Sequence, residues 1–139
     1  GKGEPFFASP FEISKEFGGI EGQVKHDPSI LHLKLSSRNR ENTTIAIVAT
    51  DAKLTKAQAT RLAAVSHDGM ARAIIPAHTP VDGDLVFATS IGDKKLENPV
   101  EDELIIGHAA SICLARAIAR GVYFATPKLK DTKPTFKDH

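Results

Sequence analysis

Thr43 could act as a nucleophile. Asn42-Thr43-Thr44 ends a charged, loop-like run and opens an apolar stretch, Ile45 to Ala49. A threonine hydroxyl attacks poorly until a base takes its proton. If Thr43 were the first residue of a chain, its own α-amine could be that base. An α-amine has an unperturbed pKa of about 7.7–8.0, close to the working pH where a general base is most effective. The same hydroxyl could create that N-terminus inside a longer polypeptide. Attack on the Asn42 carbonyl turns the peptide bond into an ester, and water then releases two chains. Asparagine suits the upstream side because it tolerates unusual backbone angles, and local strain would favour the shift. Thr44 competes for the role, but in a strand it faces away from Thr43. The bland alternative is an asparagine in a turn followed by threonines that favour a strand.

Asp82-Gly83-Asp84 is the second constellation. In an extended segment both carboxylates project from one side, and the glycine permits positive φ and close backbone approach. Such a pair can hold an ammonium group, orient a hydroxyl, or raise one partner's pKa by like-charge repulsion. The alternative is a turn in which the aspartates bond their own backbone. A divalent metal is a third option, poorly served by two carboxylates without further ligands. His78, just upstream, could add a ligand or simply bond backbone in the turn. His67-Asp68, before Gly69 and Arg72, reads either as a His-Asp relay or as a solvated helix face with a packing glycine. His108 reads as a satisfied core or boundary histidine, and Lys94 and Lys95 as solvated loop charges.

Elements must hold these residues in place. Thr43 to Thr50 reads as a strand, and its unbroken apolar run predicts cover on both faces. Thr55 with Gln58 three residues later forms a capping box that starts a helix. Ala59, Leu62, Ala63, Ser66, Met70 and Ala73 supply its buried stripe, and Pro76 is expected to end it. A second apolar strand follows from Leu85 to Ile91, then a helix from about Glu101 to Arg120. That helix is rich in small residues, which allow close packing. Residues 1–41, with three prolines and four phenylalanines, are expected to wrap over another surface; Leu31 to Leu35 could be a short strand. The tail 127–139 is polar and expected to be mobile. Alternating strands and helices, with both strands apolar on both sides, predict an α/β layered protein. Two core strands are a thin inventory for such a sheet, so more should come from residues 1–42 or from a partner chain.

Bulk composition removes several function classes. With 139 residues, 41% hydrophobic and 25% charged, the chain can bury one ordinary core. Net charge is +1, from 18 basic and 17 acidic residues; this balance argues against a nucleic-acid or anionic-membrane binder. No apolar run reads as membrane-spanning and no signal pattern opens the chain. A single cysteine, Cys113, excludes an intrachain disulfide and a cysteine zinc site. It fits a reducing compartment, so the expected location is cytoplasmic. The opening without methionine reads as the interior of a longer protein.

Glu41 to Ser90, "ENTTIAIVATDAKLTKAQATRLAAVSHDGMARAIIPAHTPVDGDLVFATS", resembles the start of the small subunit of the DmpA-like peptidases. This is the L-aminopeptidase/D-esterase family, with its β-aminopeptidase and nylon-oligomer hydrolase relatives. The shared pattern is N-T-T, V-A-T-D-A, the capped helix with H-D-G, and P-x-H-T-x-x-D-G-D-x-V-F-A. The resemblance implies an αββα sandwich similar to the N-terminal-nucleophile hydrolases, of which this chain supplies the C-terminal part. It further implies self-cleavage between Asn42 and Thr43, with Thr43 as nucleophile and Asp82 and Asp84 in the acidic positions beside it. Residues 1–42 would then be the last segment of the large α subunit, 43–126 the core of the small β subunit, and 127–139 its tail. The implied partners are the large subunit or the remainder of the precursor, further αβ units in a homo-oligomer, and a small peptide or amide substrate. No metal and no organic cofactor is expected. Most of the large subunit lies outside this sequence, so the chain alone is not expected to be a competent enzyme. The alternative function is a non-catalytic assembly or binding fragment that keeps the fold, with residues 1–42 as a docking arm.

Overall fold

The structure is a computed structural model that describes residues 3–27, 43–80, 82–131 and 134–138. Asn42 and the expected strand Leu31 to Leu35 lie outside the described residues.

Strand β1 (Ile45–Ala52) is followed by helix α1 (Lys56–Ala71), strand β2 (Leu85–Lys94) and helix α2 (Pro99–Phe124). The strands pair in parallel, Ile45 against Leu85 through Thr50 against Ser90, with a register shift before Ala52 meets Lys94. Parallel neighbours need a crossover, and α1 supplies it. Thr55 starts this helix. Its hydroxyl accepts from Gln58 N–H (3.3 Å) and its own N–H donates to Gln58 Oε1 (2.7 Å), the reciprocal pair expected of a capping box. The helix ends at Ala71, ahead of Pro76. Ala73 and Ile74 N–H both turn back to the Met70 carbonyl, and the Ile75–Pro76 peptide is cis.

Leu62, Ser66, Gly69 and Met70 form the buried stripe of α1. At Gly69 the two helices almost touch through their backbones. A Cβ there would lie 2.1 Å from the Ser111 carbonyl oxygen, so no other residue fits this crossing without separating the helices. The core between the sheet and the helix pair joins Val48, Val86, Leu62, Met70 and Leu114.

α2 is longer than its sequence pattern suggests, 26 residues from Pro99. Proline at its first turn loses no helical hydrogen bond, and Glu101 and Asp102 complement the positive end of the helix dipole. By length and composition α2 is apolar enough to cross a membrane, which the charged ends and short apolar runs of the sequence had hidden. Here its stripe of Gly107, Ser111, Leu114, Ala115 and Ala119 is buried within the protein.

Residues 3–27 lie along the helices as an arm. Phe17 and Ala8 are each 1% exposed and pack with Ala115 and Ala119. Glu16 bonds Arg116 and also accepts from Arg120 Nη1 (3.3 Å). The Arg116 guanidinium donating to it holds the Glu16 carboxyl below the usual range. Arg72 lies over the Phe11 ring and donates to Ser111 Oγ (2.6 Å). From the tail, Phe136 comes back onto Phe6 and Tyr123, with centroids 4.9 and 5.7 Å apart.

The expected cover on both strand faces is supplied on one face only by the described residues, by the helices. Ile45 (66%), Ile47 (67%), Phe87 (58%) and Ile91 (73%) stand exposed on the other. The fold shown is α/β, with a parallel sheet and helices on one side.

Candidate active site

Thr43 sits at the mouth of this sheet, one residue ahead of a tight three-way junction. Thr44 is bound on both sides. Its N–H donates to Asp84 Oδ1 (2.8 Å), and its carbonyl accepts from Leu85 N–H (3.0 Å). The start of β1 is therefore held to the start of β2 across a sequence gap that no local pattern spans. Thr43 itself is exposed. A Cβ built on Gly83 would lie 2.9 Å from Thr43 Oγ1, so the hydroxyl rests directly against Gly83, between Asp82 and Asp84. Close approach requires glycine here; its backbone is not in the left-handed region.

The two aspartates do different work. Asp84 has a side chain only 1% exposed. Besides Thr44 it accepts from His78 N–H through Oδ2 (3.0 Å), and His78 Nδ1 lies 3.8 Å from that same oxygen. A buried carboxylate must be hydrogen-bonded to be tolerated, and these donors help to meet that need. Asp82 is half-buried and closes its own turn. Its Oδ2 accepts from Thr79 N–H (3.0 Å) and Thr79 Oγ1 (2.8 Å), while its N–H donates to the Thr79 carbonyl (2.9 Å). The turn function foreseen as the alternative for D-G-D is thus present at Asp82.

The structure sets Gly83 against Thr43 and the Asp84 carboxylate on Thr44 N–H, while the Asp82 carboxylate turns to Thr79; Asn42 lies outside the described residues. It also joins two histidines that sequence spacing did not pair. His67 Nδ1 is 3.2 Å from His78 Nε2, with ring centroids 4.7 Å apart. His67 turns toward this loop histidine, and Gly69 is the packing glycine. His67, His78 and Asp84 run in a line rather than converging, and among the described residues no group of three His, Cys, Asp or Glu could hold a metal ion. His108 is exposed; it lines a cleft of about 450 Å³ between α1 and α2 with Leu62 and Val65, so the expectation of a core or boundary position is corrected. A second cleft, about 360 Å³, lies beside β1 over Val48, Ala110 and Leu114. Neither reaches Thr43, which stands open at the edge of the uncovered sheet face.

The profile of peptidase family S58 matches residues 13–133, a span that takes in the later part of the arm, both strands and both helices. The chain belongs to that family. Its membership is the DmpA-like one that the Glu41 to Ser90 pattern indicates. Curated relatives agree. Proteins named uncharacterized aminopeptidases from Mycobacterium tuberculosis and Mycobacterium bovis are each 43% identical over 107 residues, 70% of this chain and 30% of theirs. One of the same description from Mycobacterium leprae is 46% identical over 94 residues, 60% of this chain and 26% of its own. The chain therefore spans less than a third of the length of these S58 relatives.

Proposed function

We propose that this chain is the catalytic end of a self-processing amide hydrolase, an aminopeptidase, amidase or esterase in its chemistry. The observation that carries the reading is the seat of Thr43: an exposed hydroxyl against Gly83, with the next amide gripped by buried Asp84. In the precursor, Thr43 Oγ attacks the Asn42 carbonyl carbon. The C–N bond breaks as the C–O bond forms, and the nitrogen takes the proton. Water hydrolyses the resulting ester, leaving Asn42 as a carboxylate and Thr43 with a free α-amine.

In turnover the α-amine takes the hydroxyl proton as Oγ attacks a substrate carbonyl, then delivers it to the leaving amine. Water enters by the reverse route and frees the acid. Asp84 fixes the backbone beside the nucleophile, and Asp82, the neighbour of Gly83, is assigned to meet the α-ammonium or a substrate ammonium. The remainder of the precursor supplies the missing parts: a second sheet over Ile45, Ile47, Phe87 and Ile91, completing the αββα sandwich, and the walls of a pocket above Thr43. αβ units then assemble as a homo-oligomer. The substrate is a small peptide or amide, and the printed names of the mycobacterial relatives favour an aminopeptidase.

The test is hydrolysis of a panel of aminoacyl p-nitroanilides by the full-length protein and by its Thr43→Ala variant. Wild-type turnover with none in the variant supports the reading. Equal turnover in both removes Thr43 from the chemistry. A non-catalytic assembly role has one observation in its favour: the clefts of about 450 and 360 Å³ both lie away from Thr43. It predicts no hydrolysis by the wild type on any amide tried.

A further inference from the structure

We propose that His78, backed by His67, is a positioning residue for this site: it holds the Asp84 carboxylate that in turn holds the backbone beside Thr43. The inference rests on the function proposed above. A line of contacts runs from α1 to the nucleophile. His67 follows buried Ser66 on the helix, and its Nδ1 meets His78 Nε2 at 3.2 Å. His78 presents both its N–H (3.0 Å) and its Nδ1 (3.8 Å) to Asp84 Oδ2. The other carboxylate oxygen accepts from Thr44 N–H at 2.8 Å. Thr43 is the next residue.

Two features separate this arrangement from an ordinary turn histidine. His78 has φ +57, a left-handed conformation that non-glycine residues adopt uncommonly, Asn, Asp and His more often than the rest. If only the backbone mattered, glycine or asparagine would serve as well. The ring is also hydrogen-bonded at Nε2, while its Nδ1 lies 3.8 Å from Asp84 Oδ2, close to that oxygen but beyond hydrogen-bond length. One N–H between the two imidazoles sets the tautomer of one ring by that of the other, and the opposite nitrogen faces a carboxylate that is almost wholly buried. The titratable groups that face the ring are Asp84 from its own loop and His67 from α1. Fixed rotamers behind a reacting group matter because small misplacements slow chemistry steeply.

The experiment follows first-order cleavage before Thr43 in the full-length precursor by intact mass, which requires no knowledge of the substrate. His78→Gly keeps the left-handed backbone and the N–H but removes the ring; cleavage is expected to slow about tenfold or more. His78→Asn keeps that backbone and returns a polar group near the Nδ1 position; it is expected within about threefold of wild type. His67→Ala leaves the loop sequence untouched and is expected to slow cleavage as His78→Gly does, with His67→Gln restoring most of the rate. Thermal midpoints should match wild type throughout. Should His78→Gly fail to fold, His67→Ala decides alone. Wild-type cleavage rates in His67→Ala, or in a folded His78→Gly, overturn the positioning role while leaving the hydrolase reading intact. A wild-type precursor that never cleaves overturns both.

Discussion

The two sides of this small protein are finished to different degrees. Where the arm of residues 3–27 meets α2, Phe17 and Ala8 are sealed against Ala115 and Ala119, and Glu16 is held by Arg116 and Arg120. On the opposite side, Ile45, Ile47, Phe87 and Ile91 form an apolar sheet face with nothing over it among the described residues. Both regions are rich in large apolar residues, so composition does not separate them. What separates them is that the arm lies over the first, whereas no described residue lies over the second. Thr43 sits at the rim of the open side, where a site completed by another segment would be expected to lie.

The sharpest blow to the sealed side is Phe17→Ala. Truncating a fully buried phenylalanine costs about 3–5 kcal/mol, and chemical denaturation should show it as a lower midpoint with an unchanged slope. Loss of only a few tenths would mean the arm is not held as described. At the rim of the open side, Gly83→Ala places a methyl 2.9 Å from where Thr43 Oγ1 now lies. The hydroxyl can rotate away, so stability should change little while cleavage before Thr43 slows by about a hundredfold; an unaltered rate would detach Gly83 from the site.

Phe87→Ala tests the open face directly. In the full-length protein it should cost about 1.5–3 kcal/mol if a second layer buries the ring, measured again by denaturation. A change within about 0.5 kcal/mol, the usual value for a surface position, would mean the face stays open. The smallest effect belongs to the Glu16 pair. Its carboxyl is held below its ordinary value of 4.5 by Arg116, so its contribution is full above that value and fades as pH falls through the lowered pKa. Wild type should therefore lose a little more stability than Glu16→Gln below pH 4.5, and identical acid profiles would deny the arm its ionic tie.

These contrasts also explain what could be read from the sequence. The capping box at Thr55 and Gln58, the β-branched run of β1 and the buried stripe of α1 are local signals, and each describes contacts made within a few residues. Ile45 and Ile47 were legible as apolar but not as exposed, because an apolar run in a strand signals burial without saying which segment supplies the cover. α2 runs beyond the expected Glu101 to Arg120 at both ends, and it can start at Pro99 because proline is favoured in a first helical turn. At the site, residue types in N-T-T and D-G-D suggested acyl chemistry. The division of labour between the two aspartates could not be read, since Asp84 earns its place through Thr44, forty residues away. The His67–His78 contact likewise depends on how the chain turns between Ala71 and His78, which no spacing rule specifies.

The most direct test of the central claim is to identify the N-terminal residues of the purified full-length protein after incubation, beside its Thr43→Ala variant. The account predicts a new chain beginning at Thr43 in the wild type and an intact Thr43→Ala polypeptide. A wild type that stays whole, or a variant cut at the same bond at the same rate, would contradict it.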